Sequence, residues 1–116
     1  MPYREESKKA LRTAIRYLVY RDRSQHEIIC YLKKKKFSTN TVIQTLAFLE
    51  ENGYVDDQRF ALKFGESRIE KKKMGKLRLE MELKIKGIES KIIKKAVNSL
   101  YEKYNESLYK PTKVLL

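Results

Sequence analysis

Two adjacent carboxylates, one thiol, one imidazole and a large excess of amines make up the reactive groups that matter in this 116-residue chain. Acid–base catalysis or metal binding would need Asp56 and Asp57 to converge on one point, but neighbours at the start of a helix point in different directions. Their type and place fit capping instead, with Asp56 at the N-cap and Asp57 as a negative charge in the first turn. Cys30 falls in the longest apolar run, Ile28 to Leu32, which predicts a buried structural thiol rather than a nucleophile. A lone cysteine forms no internal disulfide, and with His26 the only imidazole there is no ligand set for zinc. His26 itself is expected to be a solvated first-turn residue. Each of the four glycines stands alone, so no phosphate-cradling loop is written here. These residues predict no enzyme activity, no metal and no cofactor.

The amines are the stronger signal. Lys and Arg number 27 against 15 Asp and Glu, a formal charge of +12 that attracts polyanions: nucleic acid, an acidic protein surface or anionic lipid. Arg21 and Arg23 lie at one joint between expected helices, and Lys71, Lys72, Lys73, Lys76 and Arg78 lie at an equivalent joint further on. The run Lys33 to Lys36 ends one helix as Lys84 and Lys86 end another. Cations at a helix C-terminus stabilise it by roughly 0.3–1 kcal/mol each, which explains part of the pattern. Clustering at matching joints predicts in addition a positive stripe that faces a polyanion. Tyr17, Tyr20, Tyr31 and Tyr54 could stack on bases, although an amphipathic ring at the rim of a helix bundle is the default for such positions.

Apolar residues recur at three and four along the chain and nowhere alternate over strand length, so the expected fold is all-α. A first helix is predicted from about Glu5 to Asp22 on Leu11, Ala14, Ile15 and Leu18. Ser24 with Glu27 forms a capping box that opens a second, carrying Ile28, Ile29 and Leu32. Ser38 or Thr39 caps a third, with Val42, Ile43, Leu46 and Leu49 inward, and Gly53 closes it in the left-handed conformation with Tyr54 as its hydrophobic contact. A fourth starts at Asp56-Asp57, presents Phe60, Ala61 and Phe64, and should end at Met74-Gly75. The fifth (Leu77, Leu79, Leu83) stops at Gly87. Glu89 or Ser90 caps a sixth that runs to Tyr104.

Displacing the sequence by 51 residues lays Ile28 on Leu79, Leu32 on Leu83, Phe37 on Ile88, Val42 on Ile93, Leu46 on Val97 and Leu49 on Leu100. The first helices match less well: Leu11 meets Leu62 and Leu18 meets Ile69, but Ile15 meets Glu66. The organisation expected is two tandem three-helix units, residues 1–55 and 56–106, followed by a tail at 107–116 and forming an elongated, basic helical array. The apolar run Ile28 to Leu32 is far too short for a membrane span, and no apolar segment follows Met1, so a cytoplasmic protein without membrane contact is expected.

Certain residues are also similar to a known signature. Tyr17-Leu18, Arg21, Arg23-Ser24, Glu27, Leu32, Lys36-Phe37, Leu46, Leu49, Gly53-Tyr54, Asp56-Asp57, Arg59-Phe60-Ala61, Ser67-Arg68, Gly75, Glu82-Leu83 and Lys86-Gly87-Ile88 together resemble the RecX family. Gly53 to Ala61 is the most specific stretch, and the resemblance runs from residue 10 to about 104. It implies a bacterial, cytoplasmic, non-enzymatic protein that binds RecA filaments on single-stranded DNA and restrains strand exchange and ATP hydrolysis, acting in recombination and repair; separately, a monomer is expected. Arg59 and Arg68 thereby join the candidate filament- or DNA-binding residues, and Gly53, Tyr54, Asp56, Asp57, Phe60 and Gly87 form the structural motif. Members of the family usually carry a third three-helix unit, whose pattern residues 105–116 do not repeat.

Two other classes compete. A winged helix-turn-helix binder of duplex DNA would use Ser24 to Val55 and follow it with a strand pair, against which stands the cap and helical periodicity from Asp56 onward. A purely structural adaptor would explain the repeat and leave the charge without a role.

Overall fold

Helical periodicity and local capping divide the chain into six helices. The computed structural model describes the backbone of residues 2–115 and the side chains of residues 5–105. The helices are α1 (Pro2–Tyr20), α2 (Gln25–Lys34), α3 (Thr39–Glu51), α4 (Asp57–Lys72), α5 (Lys76–Ile85) and α6 (Ser90–Leu115), with no strand among the described residues. The backbone of α6 thus stays helical well past Tyr104.

Each start has a local cause. The Glu27 N–H donates to Ser24 Oγ at 3.1 Å and the Ser24 N–H donates to Glu27 Oε1 at 3.0 Å, closing the capping box of α2. Ser38 Oγ accepts from the Thr41 N–H at 3.3 Å to open α3. The Ile93 N–H donates to the Glu89 carbonyl at 3.0 Å, which puts Glu89 at the cap of α6. Gly75, expected to help end α4, instead occupies the extended N-cap position of α5, where it has no side chain to offer. It stands 51 residues after Ser24 with nearly the same backbone angles (φ −77°, ψ 163° against φ −74°, ψ 162°), so the turn is repeated while its cap chemistry is lost.

Packing divides the chain into Met1–Phe60 and Ala61–Leu116. In the first unit α1, α2 and α3 pack on one another around Ala10, Ala14, Ile28, Leu32, Val42, Leu49 and Val55. In the second, α5 packs on α6 and the buried set is Ala61, Leu79, Leu83, Ile88, Ile93, Ala96, Val97 and Leu100. Full burial of each large side chain contributes about 1.5–3 kcal/mol. Ile43 was expected inside but is 59% exposed. The inward face of α3 is wound the other way, over Thr41, Val42, Thr45 and Leu49.

The repeat extends into the first helix of each unit through its small residues. Ala10 and Ala61, 51 apart, are both fully buried, and Ala14 and Gly65, also 51 apart, are buried too. A Cβ at Gly65 would run into the Leu100 side chain and approach Leu79 Cδ2 to 3.2 Å. Glycine therefore lets α4 lie against this pair.

The closing turns repeat as well. After α5, the Ile88 N–H donates to the Leu83 carbonyl and the Gly87 N–H to the Lys84 carbonyl, with Gly87 at φ 78°. After α2 the same two bonds run from Phe37 to Leu32 and from Lys36 to Lys33, but the left-handed residue is Lys36, at φ 71°. Both are Schellman closures, and only one has the residue type that the conformation favours. Lys36→Gly is expected to stabilise the chain by about 1 kcal/mol, and Gly87→Ala to destabilise it by about the same, in chemical denaturation. Gly65→Val should cost about 3 kcal/mol through overpacking against Leu100, and Gly65→Ala distinctly less, because a leucine methyl can yield; equal melting temperatures for the two variants would show that α4 is not held this closely.

Candidate functional site

The acidic pair forms a joint rather than a reactive centre. Asp56 Oδ1 accepts from the N–H groups of Gln58 at 3.0 Å and Arg59 at 3.2 Å, capping α4. Asp57 does something that local sequence does not reveal. Its Oδ1 accepts from the N–H of Gln25, 32 residues earlier and the first residue of α2, at 2.9 Å. The carboxylate is buried, and desolvation holds its pKa above the usual aspartate range despite that hydrogen bond; the nearby charges of Asp56 and Glu27 push the same way. Cys30, expected in the core, is exposed, with Sγ 3.5 Å from His26 Nε2 one turn earlier. Ile28 and Leu32 take the inward face of α2, leaving position 30 on the other side.

The candidate arginines are engaged within the protein. Arg21 makes a two-pronged contact with Glu27, Nη2–Oε2 at 2.8 Å and Nη1–Oε1 at 3.3 Å, and that hydrogen bond raises its pKa further. Arg23 Nε donates to the Tyr17 carbonyl at 3.2 Å, and its guanidinium lies 3.6 Å from the Tyr17 ring centre. On the other face Tyr17 stacks on Tyr31 at 3.9 Å with the planes 3° apart, and Lys35 Nζ lies 5.4 Å over Tyr31. Both faces of Tyr17 are thus covered, which leaves none for a nucleic-acid base. Tyr20 and Tyr54 are exposed.

Arg59 donates to the carbonyls of Gly53 (3.0 Å) and Tyr54 (3.3 Å), satisfying the turn after α3, and its Nε is 3.7 Å from Asp22 Oδ2. Gly53 is left-handed at φ 73°, with the Tyr54 N–H donating to the Leu49 carbonyl at 2.8 Å. Phe60 is buried behind this turn's continuation into α4. In the second unit Glu82 is shared by two arginines, Arg68 Nε at 3.1 Å and Arg78 Nε at 3.5 Å, and Arg68 also lies 4.5 Å over the Phe64 ring.

The candidate lysines behave differently. Lys33, Lys36, Lys71, Lys72, Lys73 and Lys76 all have exposed side chains. Lys71 and Lys72 close α4, Lys73 is the left-handed residue after it at φ 50°, and Lys76 opens α5, so four ammonium groups crowd one turn of the second unit. In the first unit Lys35 and Lys36 share a shallow depression with Lys9 and Arg12 of α1 and with Glu5 and Glu6. Glu6 is occupied in accepting the Ser38 N–H at 2.8 Å. Lys9 and Arg12 escape a reading of the joints alone; their signal is an i, i+3 cationic pair on the face of α1 opposite its apolar stripe. No helix among the described residues is long and apolar enough to cross a membrane, and no group of metal-ligating side chains occurs among them.

An all-α chain with two three-helix units in tandem, guanidinium groups tied into its joints and ammonium groups on its surface defines a helical repeat protein with a charged surface. The chain belongs to the RecX family. The family's model for the first three-helix domain of RecX matches residues 10–49, and that for the second matches residues 56–97. The regulatory protein RecX of Chlorobium phaeobacteroides is 44% identical over 88 residues, which cover 76% of this chain and 58% of that protein. That of Halalkalibacterium halodurans is 36% identical over 107 residues, covering 91% and 40%. The chain therefore spans about half the length of these curated relatives. Among solved structures, a crystal structure of regulatory protein RecX aligns with a TM-score of 0.79 at 23% identity, over 85% of this chain and 49% of the other. RecX from Lactobacillus salivarius aligns with a TM-score of 0.80 at 21% identity, over 84% and 62%. Both show the same fold.

The buried joint carboxylate supplies a test of this geometry. Because the folded-state pKa of Asp57 is raised above 3.8, its ionised form costs stability above the folded pKa, and the cost disappears as pH falls and the carboxyl is protonated. Asp57→Asn keeps an acceptor for the Gln25 N–H without the charge. Its melting temperature relative to the parent is expected to improve from pH 3 to pH 7; a relative decline over that range would mean that the hydrogen bond to the charged form outweighs desolvation.

Proposed function

We propose that this chain binds RecA filaments assembled on single-stranded DNA and restrains their strand exchange and ATP hydrolysis, so that it acts as a negative regulator of homologous recombination and repair. RecX is a family of regulatory proteins, and the name of that role comes from the relatives. The observation in this chain that carries the reading is the division of its cations: arginines tie the joints together, while the lysines at the α4–α5 turn and at the end of α2 are left exposed to meet a polyanion. On this reading the protein works in the cytoplasm as a monomer, and the lysines meet either the DNA phosphates or acidic groups on RecA. The duplex-binding alternative loses its support at Asp57, where helix α4 begins in place of a wing strand.

Replacing Lys71, Lys72, Lys73 and Lys76 with Glu is expected to weaken filament binding by about tenfold or more while leaving the helical circular dichroism unchanged, since exposed substitutions mostly shift stability by less than about 0.5 kcal/mol. The decisive measurement pairs two salt titrations, one of RecA's DNA-dependent ATP hydrolysis in the presence of the chain and one of the chain's affinity for bare single-stranded DNA. Affinity for bare DNA falls in its logarithm by roughly 0.7 per phosphate contact per tenfold salt. A shallower slope for ATPase inhibition supports contact with RecA itself; equal slopes point to sequestration of DNA, and an ATPase unaffected at any ratio would reject the regulatory role for this chain.

A further inference from the structure

Helix α5 spends only part of its apolar surface on the core. Leu79 and Leu83 are fully buried in the second unit, whereas Leu77, Met81 and Ile85 are 76, 66 and 75% exposed. Spaced four residues apart, these three line up along one face of the helix. The internal repeat shows that the fold does not need them. At the matching positions of α2, 51 residues earlier, stand His26, Cys30 and Lys34, all exposed, while Ile28 and Leu32 beneath them are buried just as Leu79 and Leu83 are. Two copies of one architecture thus carry a polar row and an apolar row on the same outward face. A contiguous exposed apolar row of this kind marks a surface that something covers.

Charge indicates what covers it. Beside the row runs an open groove lined by Arg68, Arg78, Met81, Glu82, Ile85 and Lys86. Three cations there face one carboxylate, and Glu82 is already held by both arginines. A second copy of this chain would bring another +12 against that rim, so like charges oppose self-association. A partner with carboxylates beside its apolar side chains is complementary to both the row and the rim.

We infer that Leu77, Met81 and Ile85 form a docking row for an acidic, amphipathic segment of a protein partner, with the partner's apolar side chains on the row and its carboxylates toward Arg78 and Lys86. The inference rests on the proposed function for its probe, the RecA filament, and adds a short-range apolar contact to the long-range pull of the lysines. The two differ in their response to salt, because screening weakens the charge attraction and leaves apolar burial in place.

The test uses the full chain carrying Leu77→Gln, Met81→Gln and Ile85→Gln, with the single variant Met81→Gln as a milder change should the triple variant lose helicity. Binding to RecA filaments on single-stranded DNA and to the bare DNA is measured across a salt series. The triple variant is expected to bind filaments about tenfold or more weakly at every salt concentration, with an unchanged salt slope and unchanged affinity for bare DNA. A parent that binds filaments and a folded variant that binds them equally well would overturn the docking row and leave the proposed function standing. A parent that binds no filament at any salt would overturn both. A concentration-dependent dimer of the parent in sedimentation, abolished by the triple variant, would assign the row to a second copy and overturn the acidic partner.

Discussion

One hydrogen bond, from the Gln25 N–H to Asp57 Oδ1, ties the start of α2 to the start of α4 across 32 residues of the first unit. It brings the N-termini of α2 and α4 to the same carboxylate, and each end adds its partial positive charge, which makes a buried carboxylate tolerable there. Desolvation still wins over that hydrogen bond in setting the pKa, so the joint carries a standing cost at neutral pH. The neighbouring groups follow from it. Asp56 is left to cap α4 itself, Ser24 and Glu27 close the rest of the α2 start, and Arg59, one turn into α4, reaches back to the carbonyls that end α3. Two acidic residues that look like one cap in sequence therefore serve the entry of two helices, while Arg59 beside them serves the exit of a third.

Much of the architecture was legible because its causes are local. The capping box at Ser24 and the periodic apolar sets of α2 and α6 rest on residues within a few turns of one another, and the repeat of Leu32 on Leu83 and Leu49 on Leu100 shows because each unit writes the same local pattern. What was not legible depends on partners remote in sequence or on backbone conformation. The reach of Asp57 to Gln25 spans 32 residues and leaves no periodic trace. Ala10 with Ala61 and Ala14 with Gly65 are invisible to a search for large apolar residues, although small residues are what permit the first helix of each unit to come close. Cys30 and Ile43 were misplaced because a run of apolar residue types does not say which member of it faces out.

The split between arginine and lysine has a chemical basis. A guanidinium offers several donors in a fixed plane, which suits two carbonyls, a carboxylate fork or an aromatic face, and Arg59, Arg21 and Arg23 use it in those three ways. An ammonium on a flexible stem is a strongly hydrated point charge, well suited to tracking phosphates and poorly suited to locking a joint. The net charge does not say where the field is available to a partner: the arginines at the joints lie beside carboxylates, whereas the clustered lysines at the α4–α5 turn are exposed.

The two closures that end on left-handed lysines show how far this division goes. Among the described residues the non-glycine positions at positive φ are Lys36 and Lys73, and both lie in the exposed basic clusters. A side chain in that conformation costs about 1–2 kcal/mol. A cation at a helix C-terminus returns roughly 0.3–1 kcal/mol through the dipole, so in most cases the balance stays unfavourable. The second unit shows that the alternative is open to the fold, because Gly87 occupies the turn equivalent to Lys36 with the same pair of hydrogen bonds and no such cost. Stability alone would have placed glycine at both. On the proposed function the Lys36 ammonium is a contact for the polyanionic filament, and the backbone cost of this turn is what that contact would offset.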